Sequence, residues 1–169
     1  PFELLVVDVP SREFGPVIAA GLGGVDTEYL ATRMKPGTAV AKASAVDASP
    51  EEFLELFRRT TAYELLAGRI RGHERMVGDA DLLRCFRAFI GLARQFCMDG
   101  AGDACIEELE VNPFAFRRQR IVPLDGRGRL GDPVQSPRPR PLENVGKLLE
   151  PRSIAVVGVS AARANFGRI

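Results

Sequence analysis

The chain has 169 residues, of which 46% are apolar, 27% charged and 7% aromatic; this supports one ordinary core plus a small extra piece and excludes disordered and collagen-like classes. Its 23 basic and 22 acidic residues leave a net charge of +1, so no overall field draws it to nucleic acid or to an anionic membrane. No stretch reaches the roughly 20 consecutive apolar residues of a transmembrane helix, and the N-terminus lacks the basic-then-apolar pattern of a signal peptide.

Residues 2–9 are rich in β-formers, and Gly15-Pro16 punctuates before a second apolar run over 17–20, which predicts two strands. Gly21-Leu22-Gly23-Gly24 breaks that run, residues 25–29 can carry a strand on, and the small apolar stretch 38–46 predicts another. Ser49-Pro50-Glu51-Glu52 then opens a helix: a hydroxyl N-cap, proline at the first helical position, and a glutamate that completes a capping box. Phe53, Leu54, Phe57 and then Leu65 and Leu66 follow at roughly helical spacing. A second helix starts at Asp79, where Leu82, Leu83, Phe86, Phe89, Ile90, Ala93 and Phe96 form a stripe with a period of about 3.6, and it ends near Asp99-Gly100.

Residues 106–112 read as a strand that continues through 114–116, and 121–125 returns after the polar turn Arg117-Arg118-Gln119-Arg120, making a hairpin. From Gly126 to Pro141 the composition shifts to Gly, Pro, Arg and Ser, which reads as a linker. Residues 142–149 predict a short helix, and 153–158 a compact apolar strand entering a small-residue turn, the usual opening of a nucleotide-binding β-α-β unit. The chain opens at Pro1 without Met and ends at Ile169 inside that new unit, so a piece of a longer protein is expected.

Three cysteines, Cys85, Cys97 and Cys105, lack C-x-x-C spacing and sit in apolar stretches, where a reduced thiol behaves as a small hydrophobe. A cytoplasmic location follows as the expectation. The chemistry lies elsewhere. Alternation over 106–112 puts Glu108, Glu110 and Asn112 on one strand face and Glu107, Leu109 and Val111 on the other. A two-residue loop at 118–119 and a four-residue loop at 117–120 share one centre, so either pairs 116 with 121 and sets 112 opposite 125. Direct cross-strand partners have Cβ atoms about 4.5–5.5 Å apart, near enough for Asn112 and Asp125 to share a hard cation with Glu110 beside them. Oxygen donors without nearby His or Cys select Mg²⁺ or Mn²⁺. The same register carries Val111 and Leu124 on the opposite face into the core. The plainer reading of the polar residues is a solvated face on a half-buried hairpin.

Glu110-Val111-Asn112-Pro113, the hairpin and Leu124-Asp125-Gly126-Arg127 together resemble the metal-binding strands of the ATP-grasp domain in succinyl-CoA synthetase β chains and NDP-forming acyl-CoA synthetases. Phe14-Gly15-Pro16-Val17, Gly21-Leu22-Gly23-Gly24-Val25 and Glu28 are similar to that family's F-G-P, G-x-G-G and downstream Glu. Residues 65–72 are similar to its L-L-x-G-x-R-G element, and 151–160 with Gly167-Arg168 to the start of its CoA-binding Rossmann domain.

The resemblance implies an α+β fold: an ATP-grasp C-terminal subdomain at 1–130, with a mostly antiparallel sheet and backing helices. A Pro/Arg-rich linker with a short helix would span 131–150, and the truncated first strand of a CoA-binding domain 151–169. It implies a fragment of an enzyme that converts ATP, a carboxylic acid and CoA to acyl-CoA, ADP and phosphate through an acyl phosphate and a phosphohistidine. Glu110, Asn112 and Asp125 would hold magnesium, Gly21, Gly23 and Gly24 would bring backbone amides to phosphate, and Gly158 and Ser160, with Gly167, would cradle CoA. For the three glycines a tight turn between strands is an equal alternative. ATP or ADP, Mg²⁺ or Mn²⁺ and CoA would serve the parent, whose other domains or subunit would be the partners. The adenine hinge and phosphate-gripping lysine would precede Pro1 and the phosphohistidine would follow Ile169, so the chain alone is expected to be inactive, with no catalytic residue of its own. His73 reads as a surface residue. Two alternatives stand beside this: a catalytically silent ATP-grasp-like regulatory or interaction module, and another ATP-grasp carboxylate ligase.

Overall fold

The computed structural model describes residues 4–11, 14–24, 29, 32–97, 105–132 and 145–155. They fall in two units, 1–136 and 137–169. Strands β1 (Leu4–Ser11), β2 (Gly15–Leu22), β3 (Val40–Ser44), β4 (Cys105–Arg117), β5 (Arg120–Pro123) and β6 (Gly126–Gly131) form one sheet in the first unit. Its order is β3-β2-β1-β4-β5, β6 also pairs with β4, and every pairing is antiparallel. The α+β fold with a mostly antiparallel sheet is therefore what the chain adopts. The expected strand at 38–46 is β3, whereas residues 25–28 of the expected 25–29 strand lie outside the described set.

Helices α1 (Pro50–Phe57), α2 (Thr61–Leu66) and α3 (Asp79–Cys97) supply the second layer. The capping box forms as the sequence predicts: Ser49 Oγ accepts from the Glu52 amide at 3.2 Å, and the Glu52 carboxylate accepts from the Ser49 amide at 2.8 Å. Hydrogen bonds from the Ser49 backbone and hydroxyl hold the Glu52 carboxyl below its ordinary range. The apolar positions from 53 to 66 are not one helix. Buried Thr60 interrupts them, donating to the Phe57 carbonyl at 2.7 Å and accepting from the Tyr63 amide at 3.2 Å as the N-cap of α2.

The rings of Phe53 and Phe57 meet Phe86 edge-on, with centroids at 4.8 and 5.3 Å, and Phe89 reaches Phe114 of β4 at 6.3 Å. Together with Val6, Ile18, Ala20, Leu22, Leu82 and Ile90 they form the core. Burying one such aromatic ring contributes about 2–3 kcal/mol, so this seam carries much of the fold's stability. The sheet face it covers is set by register: Leu109, Asp8, Ile18 and Ala43 are successive cross-strand partners, one step along from Glu110, Val7, Ala19 and Lys42.

Asp8 breaks the apolar pattern of its row. It is 1% exposed, and neither carboxylate oxygen has a hydrogen-bond partner among the described residues. Burial pushes its carboxyl up from 3.8 to about 7. Asp79, at the start of α3, is the opposite case: it accepts from Arg58 at 2.6 Å, Tyr63 OH at 3.0 Å and Arg75 at 2.9 Å. Burial alone would raise its carboxyl, but the hydrogen bonds from Arg58 and Tyr63 and the charges of Arg58 and Arg75 hold it below its ordinary range. It ties α1, α2 and the connection after α2 to the N-terminus of α3.

Three expectations are corrected in the hairpin and beyond. Gly126–Gly131 is not linker but β6. Its arginines replace an apolar face with charge: Arg129 Nε reaches Glu107 at 2.9 Å across the ladder, which lets a strand form without burying anything. Leu124 is not in the core but 62% exposed. The buried side of β4 moves from Leu109 and Val111 to Phe114 where the register against β1 shifts, so the residue opposite Pro113 faces solvent. Residues 153–155 carry no strand, and 156–158 of that expected strand are outside the described set.

The expected helix at 142–149 is α4 (Val145–Leu149), whose residues are all exposed. The remainder of the expected linker, 133–141, lies outside the described residues. His73 is a surface residue, as expected, and among the described residues no helix is long and apolar enough to cross a membrane.

Two stability measurements follow. Asp8 binds a proton more tightly folded than unfolded, so its stabilisation is complete below pH 3.8 and is lost as pH rises to about 7, with an upper limit on the order of 4 kcal/mol. Urea unfolding should show Asp8→Asn gaining on the wild type between pH 4 and 8; a pH-independent difference would contradict this. Asp79 has the reverse sign: Asp79→Ala should cost about 1–2 kcal/mol at pH 7, with the deficit shrinking as acid protonates the wild-type carboxyl.

Candidate functional site

The hairpin turn is the two-residue form. Arg117 pairs with Arg120, and Arg118 and Gln119 both have positive φ, 51° and 64°, the backbone of a type I′ turn. From there the register runs without a shift through Phe116 and Ile121 to Val111 and Gly126, Glu110 and Arg127, and Glu108 and Arg129. Asn112 and Asp125 are opposite each other, with the Asn112 amide donating to the Asp125 carbonyl at 3.0 Å. Because alternate residues share a face, Glu110, Asn112, Asp125 and Arg127 make a two-by-two block.

That block lines a cavity of about 200 Å³, open on the sheet face opposite the helices. Asn112 is its most constrained member: Oδ1 accepts from the Gly24 amide at 2.9 Å, and Nδ2 donates to Glu110 at 3.3 Å. The bond to Gly24 joins positions 88 residues apart, bringing the segment after β2 over β1 to the block. Gly24 has φ +94°, which a side chain would strain.

The donor set suits a hard divalent ion. Two carboxylates and an amide oxygen with a second lone pair converge, and no soft ligand is present. Among the described residues no three His, Cys, Asp or Glu side chains form a group that could hold a metal ion; the set here is two carboxylates and an amide. A second cavity, about 410 Å³, lies between α3 and the hairpin and includes Cys85, Phe89 and Phe114. Burial pushes the Cys85 thiol up to about 12, so at neutral pH it is a packing group and not a thiolate.

The expected residues thus divide. Glu110, Asn112 and Asp125 come together, and Gly24 joins them through its amide. Gly21 sits inside β2, where a Cβ would lie 2.9 Å from the Ala39 carbonyl oxygen; its role there is close packing of β3. Gly23 follows the end of β2, while Glu28, Gly158, Ser160 and Gly167 lie outside the described residues. Arg127 also lines the cavity; it belongs to the motif at 124–127 but is not among the candidate ligands, and the alternation continued two residues past Asp125 places it on their face.

Residues 1–130 match the family model described as an ATP-grasp domain. No curated protein matches the chain. Among solved structures it is similar to dinucleotide forming acetyl-coenzyme A synthetase 1 of Ca. Korarchaeum cryptofilum, bound to coenzyme A and Mg-AMPPCP, at 24% identity and TM-score 0.60, covering 77% of this chain and 53% of that one. The PH1788 protein of Pyrococcus horikoshii Ot3 matches at 21% identity and TM-score 0.60, covering 78% and 49%. The chain spans about half the length of these structures.

The packing role of Gly21 is open to measurement. Gly21→Ala should separate β2 from β3 and cost about 1–3 kcal/mol in urea unfolding, because the obstructing atom is backbone and cannot rotate away.

Proposed function

As the chain belongs to the ATP-grasp domain family, we propose that it is the metal–nucleotide part of an NDP-forming acyl-CoA synthetase, which makes acyl-CoA, ADP and phosphate from ATP, a carboxylic acid and CoA. The observation that carries this reading is the hairpin cavity, where Glu110, Asn112 and Asp125 face one space beside the Gly24 amide. The similar Korarchaeum structure holds coenzyme A and Mg-AMPPCP, which supports the same ligand classes for the parent enzyme. The chain's fold is shared with that protein; the reaction is the proposal.

In this reading Glu110 and Asp125 supply the charge that holds Mg²⁺, and the free lone pair of Asn112 Oδ1 completes the protein's share of the oxygens. The bound ion supplies neutralisation of phosphate charge, the main demand of phosphoryl transfer. The chain's own residues position: the Gly24 hydrogen bond fixes the Asn112 amide so that its oxygen, not its nitrogen, faces the loop, and leaves Nδ2 to hold Glu110 in place. The Gly24 amide is engaged by Asn112, so in this reading other amides of the Gly-rich motif would approach a phosphate, as the resemblance implies. Gly158, Ser160 and Gly167 would begin the CoA cradle, and the rest of the CoA site and the phosphohistidine would be carried by other parts of the parent, a cytoplasmic enzyme.

Mn²⁺ titration of the chain, followed by electron paramagnetic resonance, tests the site. Saturable binding is expected, weakened about tenfold or more by Asp125→Asn and by Asn112→Ala, with the folded far-ultraviolet spectrum retained because the site lies on the open face. Binding unchanged by both substitutions would refute it.

A further inference from the structure

We propose that the cavity between α3 and the hairpin tip binds a small amphipathic carboxylate, its apolar body seated on Phe89 and Phe114 and its carboxyl group on Arg120. This cavity shares no lining residue with the one that holds Asn112 and Asp125, so the inference does not depend on the metal reading. Its volume, about 410 Å³, falls in the range of small-molecule sites. The floor is apolar: Phe89 and Phe114 meet with ring centroids 6.3 Å apart, and Cys85, Ala88 and Ile121 complete it. Cys85 shows how little water reaches that floor, since burial pushes its thiol up to about 12.

Charge selects the ligand. Three charged side chains line the cavity: Asp81, Arg84 and Arg120. Asp81 and Arg84, one turn apart on α3, form an ion pair and cancel. Arg120 has no ion pair or side-chain hydrogen bond among the described residues, so the lining keeps a formal charge of +1. Its direct cross-strand partner is another cation, Arg117, and the turn between them adds Arg118 and Gln119, a third guanidinium and no carboxylate. Like charges directly opposite each other destabilise a strand pair, and an anion between them relieves that repulsion. A planar guanidinium offers paired donors that match a carboxylate. The two-residue turn holds this one at the start of β5, on a strand and not on a long loop. A multiply charged anion such as phosphate fits poorly, because the apolar floor leaves its other oxygens without donors. A single carboxylate on an alkyl or aryl body satisfies both parts of the site.

The test uses the whole isotope-labelled chain and three probes that share a phenyl body, namely phenylacetate, phenethyl alcohol and phenethylamine, each titrated by amide NMR. Phenylacetate should give saturable shifts confined to residues 84–89 and 120–123 and bind about tenfold more tightly than the alcohol, with the amine weaker still. Arg120→Gln should remove that advantage, weakening phenylacetate about tenfold while leaving the alcohol unchanged, a split that a merely structural role would not produce. Arg120→Lys, which keeps the charge but not the fork, should fall between. Ala88→Leu, which fills the cavity from an exposed helix position, should abolish binding of the acid with no change in the urea midpoint. Asp125→Asn should leave phenylacetate binding as it is, which separates this site from the metal site. Equal affinity for acid and alcohol, phenylacetate binding untouched by Arg120→Gln, or no saturable shifts in the millimolar range would overturn the proposal.

Discussion

A strand paired along both edges cannot slip, and β4 is such a strand. Its residues from Leu109 to Val111 are held by β1 on one side and β6 on the other, and the tight turn at Arg118 and Gln119 fixes where the return strand starts. A one-residue slip would carry Glu110 among the core side chains and Val111 into water, at several kcal/mol for the buried carboxylate alone. The alignment of Asn112 with Asp125, and so the cavity, is a consequence of that double pairing.

The same sheet divides labour between its faces. Aromatic packing of α1 and α3 on the Ile18 row supplies stability, while the Glu110 row supplies charge and contributes little to folding. Polar substitutions in the cavity should therefore be separable from unfolding, as is usual for ligand groups on an exposed face. Asp8 crosses this division, an ionisable group on the packing side with nothing to satisfy it among the described residues. Nothing in the geometry gives it a ligand; what it does is make the stability of the central strand depend on pH.

Much of this was legible in the residues. The capping box at Ser49 and the stripe on α3 are local signals, and the hairpin register followed because both candidate loops share a centre. Other features were hidden for physical reasons. β6 has almost no apolar residues, because cross-strand charge takes the place of burial, so composition suggested a linker. The break at Thr60 leaves the apolar spacing nearly helical and shows only in a capping hydroxyl. The Gly24–Asn112 bond spans 88 residues and has no sequence signature at all.

The short stretch between the turn and Asp125 has a consequence for how such a chain can vary. Ile121 packs against the core, but Val122, Pro123 and Leu124 are exposed and their identities matter little to it. Their number does matter, because it counts out which face the acidic residue reaches. One residue gained or lost there would turn Asp125 and Arg127 over to the helical side unless a bulge absorbed it. Selection on this segment should thus permit wide drift in residue type while purging odd-numbered insertions and deletions, so that its length carries the functional information its side chains do not.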